Sequence, residues 1–253
     1  MGARLALVAR DRARGEATLR ALSDKGVSTK IYYADLSRLA EMKRVAGEIA
    51  AAEPRIDVLV NNAGAMFNRR QVTADGFELT FALNHLGYFV MANLLKPPLA
   101  AAAPARIVNV ASEAHRGMTL DFSDLQYEKH FRGFTAYGRS KLCNILFTRE
   151  LTRKFAGTGI AASCLHTGFV ATRFGDNNGG AFRVGIDFAK QIAARSVAKG
   201  AETVVYLASS PEAAGAKSEY YFDCKPKTPS AQARNDDDAR RLWAESARLC
   251  GIG

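Results

Sequence analysis

The chain has 253 residues, 48% of them hydrophobic and 24% charged, with a formal net charge of +10. Such usage excludes a disordered tail, a collagen-like repeat and a disulfide-stapled miniprotein, and the length suffices for one large domain with an unstapled core. The basic excess is interspersed: Arg10-Asp11-Arg12-Ala13-Arg14 is the densest run, no nucleic-acid motif accompanies it, and solvated helix faces account for the rest.

From the N terminus, strand-like and helix-like segments alternate. Arg4–Arg10 is a short apolar run, followed by helical spacing over Ala13–Lys25. Thr29–Leu36 is β-branched and aromatic, and Arg38–Glu53 is an Ala-rich helix closed by Pro54. Ile56–Val60 reads as a buried strand ending in Asn61-Asn62-Ala63-Gly64, and a long helix follows from about Asp75. Arg106–Ser112 is the next strand, Thr135–Phe155 a helix, and Ile160–Leu165 a strand. Ser196–Ser209 is helical, Tyr220–Asp223 a last short strand, and Asn235–Cys250 a closing amphipathic helix. This alternation predicts an α/β fold, a Rossmann-type doubly wound parallel sheet with helices on both faces, in one domain spanning 1–253. Ligands of such sheets sit beyond the carboxyl ends of the strands.

Several chemistries drop out. Cys143, Cys164, Cys224 and Cys250 form no C-x-x-C pair, and His85, His115, His130 and His166 show no metal spacing, so no metal site is expected. The longest apolar stretch, Phe81–Ala103, is interrupted by Asn84, His85, Asn93, Lys96 and Pro97-Pro98, and reads as a buried core helix rather than a membrane span. The start lacks a signal-peptide pattern, which with unpaired cysteines points to a cytoplasmic protein. Oligomeric state is left open.

The chemistry-bearing residues fall just after strands. Tyr137 and Lys141 form a Y-x3-K on a helix, where residues four apart share a face. A nearby ammonium favours phenolate, so the tyrosine is expected to have a lowered pKa and to exchange a proton with a carbonyl oxygen near neutral pH. A second match, Tyr221-x3-Lys225, sits at a strand end, where four extended residues would hold the side chains roughly 13 Å apart. Ser112 ends its strand with a hydroxyl toward the crevice, or else caps a helix. Asn84 lies on an apolar helix, where an amide must be satisfied. Asn62, Ala63 and Gly64 are small enough to let a flat cofactor approach the backbone, although the same residues suit a turn. At Val8-Ala9-Arg10 an arginine stands where an NAD-binding strand would carry an acid, and a guanidinium suits a 2′-phosphate, so NADP(H) is the expected cofactor.

Together, NNAG at 61–64, TADGFELTFALNHLGYF at 73–89, RIVNVAS at 106–112 and DLQYEKHFRGFTAYGRSKLCNILFTREL at 124–151 resemble the short-chain dehydrogenase/reductase family, in its retinol dehydrogenase-like branch. The resemblance runs from Arg4 to Gly251, and the 25 positions from Ser112 to Tyr137 are similar to that branch. It implies Tyr137 as general acid/base, Lys141 lowering its pKa and holding the nicotinamide ribose, and Ser112 orienting the substrate oxygen. It implies Asn84 as anchor of a water in a proton relay, and Asp35-Leu36 as the adenine contact. Gly168, Val170 and Thr172 would clasp the carboxamide, and the lid would be 173–195, whose phenylalanines and isoleucines imply a small hydrophobic carbonyl or alcohol substrate.

The chain departs from the family's pattern twice. Thr167 stands where the family has the proline that stiffens the turn over the nicotinamide. The chain also opens at the family's second strand, without its first strand and G-x3-G-x-G loop, so that an N-terminally truncated domain, unstable and inactive on its own, is expected. The reading is therefore a hydride-transferring NADP(H) oxidoreductase, the alternatives being a non-catalytic dinucleotide-binding or regulatory protein on the same fold, or an inactive fragment.

Overall fold

The computed structural model describes residues 2–168, 195–215 and 220–253. β1 (Leu5–Ala9) and β2 (Thr29–Tyr33) pair in parallel, Leu5 opposite Thr29 and Ala9 opposite Tyr33. Between them runs α1 (Arg12–Ser23), started by Asp11, whose carboxylate accepts the Arg14 N–H at 2.8 Å. α2 (Leu39–Ala52) follows and buries Met42, Val45, Ala46 and Ile49, the stripe expected of a helix with one face on a core.

A second sheet has the order β3 (Val58–Asn61), β4 (Ala105–Val110), β5 (Ile160–Leu165), β6 (Tyr220–Phe222) and β7 (Lys225–Pro226). Its first four strands are parallel and β7 is antiparallel. The crossover from β3 to β4 carries α3 (Leu79–Phe81), a π turn at Ala82–Leu86, α4 (Gly87–Leu94) and α5 (Lys96–Ala101). The expected single buried helix thus divides, because Pro97 and Pro98 can open a helix but cannot continue one. α6 (Gly133–Lys154) links β4 to β5; α7 (Val197–Ser209) precedes β6, and α8 (Asp236–Cys250) closes the chain.

Both faces of the larger sheet are covered, as predicted for a doubly wound α/β fold. Successive residues of β4 point to opposite faces: Ile107 joins the large core with α4, α6 and α8, and Val108 the smaller core with Leu207 of α7 and Tyr221 of β6. In the large core the Trp243 ring lies 5.0 Å from Phe89 and 5.8 Å from Phe147, centroid to centroid.

Among the described residues β1 pairs only with β2, and β3 only with β4, so the strands form two sheets joined through helix packing. One feature differs from the expectation. Tyr221 and Lys225 do not lie along one strand: Asp223 and Cys224, at φ 49° and 59°, turn the chain back and place Phe222 opposite Lys225. Neither side chain joins the site described below. No helix of the described residues is long and apolar enough to cross a membrane, and no metal-ligating cluster occurs among them.

Candidate active site

The site lies at the carboxyl ends of β3, β4 and β5. Ser112 follows β4 in extended conformation, and its Oγ accepts the Ala114 N–H at 3.2 Å, starting a tight turn over Glu113–His115. The serine is therefore a cap and a crevice residue at once. Its hydroxyl proton remains available, and it lies near enough to the Tyr137 phenol to draw that group's pKa down. The same turn is anchored by His115, whose Nε2 accepts the Ser230 N–H at 3.1 Å, so that Nδ1 is the protonated nitrogen and donates to the Ser112 carbonyl at 2.7 Å.

α6 brings Tyr137 and Lys141 to this turn because Gly138 has no side chain. A Cβ at 138 would stand 2.6 Å from the Ala114 carbonyl oxygen and 2.9 Å from Met118 Cγ. Lys141 is 3% exposed, and its Nζ donates to the Val110 carbonyl at 3.0 Å, 5.7 Å from the centroid of the Tyr137 ring. That carbonyl also receives Asn144 Nδ2 at 3.2 Å and Tyr88 Oη at 3.4 Å. No carboxylate forms an ion pair with Lys141 among the described residues, and burial pushes its pKa down to about 8.

The expected lowering of the Tyr137 pKa is not found in the protein alone. Burial pushes Tyr137 up to about 12, against the downward pull of Ser112. Desolvation of the phenolate outweighs an ammonium that is itself desolvated and turned to a backbone carbonyl.

Asn84 sits in the π turn, fully buried. Its Oδ1 accepts the Ala65 N–H at 2.9 Å, and its Nδ2 donates to the Ala65 carbonyl and to Ser140 Oγ, both at 2.9 Å. The amide is satisfied by protein, which makes the side chain the pin between the loop after β3 and α6. Beneath it, Asn61 Nδ2 donates to Asn109 Oδ1 at 2.9 Å, and Asn109 Nδ2 to Thr148 Oγ1 at 2.9 Å, tying β3, β4 and α6 together. Asn62, Ala63 and Gly64 are exposed at the end of β3. A Cβ on Gly64 would stand 3.2 Å from both Asn84 Oδ1 and Lys141 Nζ, so this loop is pressed onto the lysine.

Arg10 is exposed just past β1; Asp35 is half-buried just past β2, where its Oδ1 accepts Ser37 N–H at 3.0 Å and Ser37 O–H at 2.8 Å. Leu36 packs against the large core. Gly168 follows β5 at φ 76°. Val170, Thr172 and the lid segment, apart from Arg195, lie outside the described residues. Sequence reasoning missed Glu113, His115 and Ser140 as parts of the site. Their signal is positional, since each is adjacent to, or one turn from, a residue it did find.

A tyrosine, a buried lysine and a serine hydroxyl now stand together. Residues 1–180 match the family model described as short chain dehydrogenase. The chain belongs to that family. Human retinol dehydrogenase 13 is 36% identical over 99% of this chain and 78% of the relative's length. Human retinol dehydrogenase 14 is 36% identical over 100% of this chain and 80% of the relative's length. Among solved structures, an uncharacterized protein from Mycobacterium paratuberculosis superposes with a TM-score of 0.77, at 29% identity, covering 97% of this chain and 83% of that one. This short-chain dehydrogenase is therefore an oxidoreductase of the retinol dehydrogenase-like kind, acting on CH–OH groups with a nicotinamide dinucleotide.

Proposed function

We propose that the protein transfers a hydride between NADP(H) and a small apolar alcohol or carbonyl compound, with Tyr137 as general acid/base. The observation that carries this reading is the grouping of the Ser112 and Tyr137 hydroxyls beside Lys141, whose Nζ lies 5.7 Å from the centroid of the Tyr137 ring, so that one substrate oxygen can meet two hydroxyl groups. The residues fit a nicotinamide cofactor: Gly64 keeps open a space beside Lys141 that a Cβ would fill, and Arg10 stands exposed past β1 for a 2′-phosphate. The cofactor when bound supplies or accepts the hydride.

Ser112 donates to the substrate oxygen and orients it, while Tyr137 gives that oxygen its proton in reduction and removes it in oxidation. Lys141, held by the Val110 carbonyl, offers its remaining N–H groups to a ribose and stabilises developing phenolate charge. Asp35 and Leu36 border the adenine, and the Gly168 backbone faces the carboxamide. An apolar substrate is in keeping with the retinol dehydrogenases among its relatives. The protein's four unpaired cysteines suit the reducing cytoplasm.

Tyr137→Phe tests the reading. Turnover of an apolar aldehyde with NADPH should fall by about 10²–10⁴-fold, the usual share of general acid–base catalysis, while NADPH still binds. Tyr221→Phe, outside the site, should leave the rate unchanged. A Tyr137→Phe variant that keeps its rate would overturn the role given to Tyr137, a wild-type protein that binds NADPH without turnover would return it to the non-catalytic class, and tighter binding of NADH than NADPH would overturn the role given to Arg10.

A further inference from the structure

Beside Ser112, the carboxylate of Glu113 gathers groups from three other parts of the chain. Its Oε1 accepts from Arg116 Nε at 2.6 Å and from Lys227 Nζ at 3.2 Å. Its Oε2 accepts from Tyr220 Oη at 3.3 Å and faces His166 Nε2 at 3.5 Å. The bond to Arg116 is local and half-exposed, and such surface pairs contribute little. The other three come from β6, from just past β7 and from the end of β5, so the carboxylate joins the ends of three strands to the turn that holds Ser112. Against the upward push of burial, the hydrogen bonds from Arg116 and Lys227 hold Glu113 down to about 2, which keeps it ionised.

His166 leads into the turn His166-Thr167-Gly168. Its ring is 4% exposed, lies flat on Phe222 at 4.2 Å and 5°, and meets Tyr220 at 5.2 Å. Its Nδ1 has no hydrogen-bond partner, so stacking and the Glu113 carboxylate are what orient it. Two residues on, Gly168 turns the backbone at φ 76°, and a Cβ there would meet Arg195 Cδ at 2.8 Å. Arg195 is itself tied to Asp223 at 2.6 Å. Between these two fixed points stands Thr167, whose side chain, among the described residues, reaches only the Gly168 carbonyl, at 3.2 Å. No ring locks its φ, and among the described residues no backbone acceptor takes its N–H.

We propose that Glu113 is a positioning residue for the turn His166-Thr167-Gly168, a side-chain clamp that does for this turn what a ring-locked residue at 167 would do covalently. The proposal rests on the reading that this turn faces the nicotinamide end of the cofactor.

The test pairs Glu113→Gln with Thr167→Pro. Glu113→Gln keeps the shape and removes the charge that gathers the donors. Thr167→Pro restrains the backbone directly, at a position whose N–H has no backbone acceptor to lose. In the cofactor-free protein, hydrogen exchange at the His166 amide, which donates to the Tyr221 carbonyl at 3.1 Å, should quicken about two- to fivefold in Glu113→Gln, the size of one backbone restraint, and return to the wild-type rate in the double variant. NADPH affinity, read by fluorescence titration, should weaken and recover in parallel, and Arg116→Gln should change neither quantity. If Glu113→Gln does not fold, Lys227→Met and Tyr220→Phe each remove one clamp contact and should quicken the same amide. Unchanged exchange, or no rescue by proline, overturns the clamp whatever the enzyme does. Quickened and rescued exchange in a protein that binds no NADPH upholds the clamp and overturns the cofactor reading instead.

Discussion

Gly138→Ala is the smallest change that separates Tyr137 from Ser112. The new methyl would stand 2.6 Å from the Ala114 carbonyl oxygen, whereas ordinary contact begins near 3.4 Å, so α6 and the 113–115 turn must part by about 0.8 Å. Neither side yields easily. The obstacle is a backbone oxygen in a turn held by His115, and behind the helix Asn84 bonds Ser140. Misplacement of this size at a reacting group costs up to about 100-fold in rate. Stability changes less, because overpacking costs about 1–3 kcal/mol while alanine returns about 1 kcal/mol of helix propensity. Turnover with NADPH and an apolar aldehyde should therefore drop by about 10–100-fold, while the melting temperature falls by only a few degrees. Gly47→Ala is the control: on the exposed face of α2 its Cβ would meet nothing within 4 Å, so it should raise the melting temperature and leave the rate alone. A Gly138→Ala protein with wild-type rate would refute the claim that this glycine sets the Ser112–Tyr137 distance.

Two further outcomes follow from the same structure. Burial lowers Lys141 from 10.5 to about 8, so between about pH 8 and 10 the unfolded chain binds the proton that the folded one has released, and stability should rise with pH across that window. Tyr137, raised by burial from 10.0 to about 12, should make stability fall again between those values, and Lys141→Met should remove the first rise in a chemical-denaturation series. By hydrogen exchange, β1 and β2 should open more readily than β4 and β5, since no residue of β1 is fully buried and, among the described residues, β1 pairs with β2 alone; equal protection would show that helix packing alone binds the two sheets as firmly as a ladder.

The order of strands and helices was legible because buried parallel strands read as short apolar runs and the helices between them carry a 3.6-residue stripe. Tyr137, Lys141, Ser112 and Asn84 were legible for a related reason. Helical spacing and strand ends fix direction, and a polar side chain on an apolar element needs a partner. What escaped was set by tertiary contact. The hairpin between β6 and β7 turns on Asp223-Cys224, which lacks the glycine or asparagine that marks such turns. Glu113 and His115 sit in a single turn with no period, and their partners Lys227 and Ser230 lie 114 and 115 positions away. The Tyr137 pKa escaped because proximity of a lysine can be read from spacing, whereas the desolvation of both groups cannot.

The site is assembled from groups that each cost the fold something, and the surrounding polar chain shows how the cost is met. An ammonium buried on a lone carbonyl would ordinarily shed its proton or draw in water. Here the Val110 carbonyl that receives it lies at the end of β4, between strands, and its neighbours Asn61, Asn109, Thr148 and Asn144 run as one hydrogen-bonded series across β3, β4 and α6. Those bonds fix the helix carrying Lys141 without neutralising its charge. A carboxylate in the same place would pair with Lys141 more strongly and would also remove the field that favours phenolate at Tyr137. Amides hold position and leave the charge available. That physical difference explains why the residues packed around the lysine are asparagines and hydroxyls, and why the nearest acidic side chain in the turn, Glu113, is directed away to Arg116, Lys227 and Tyr220.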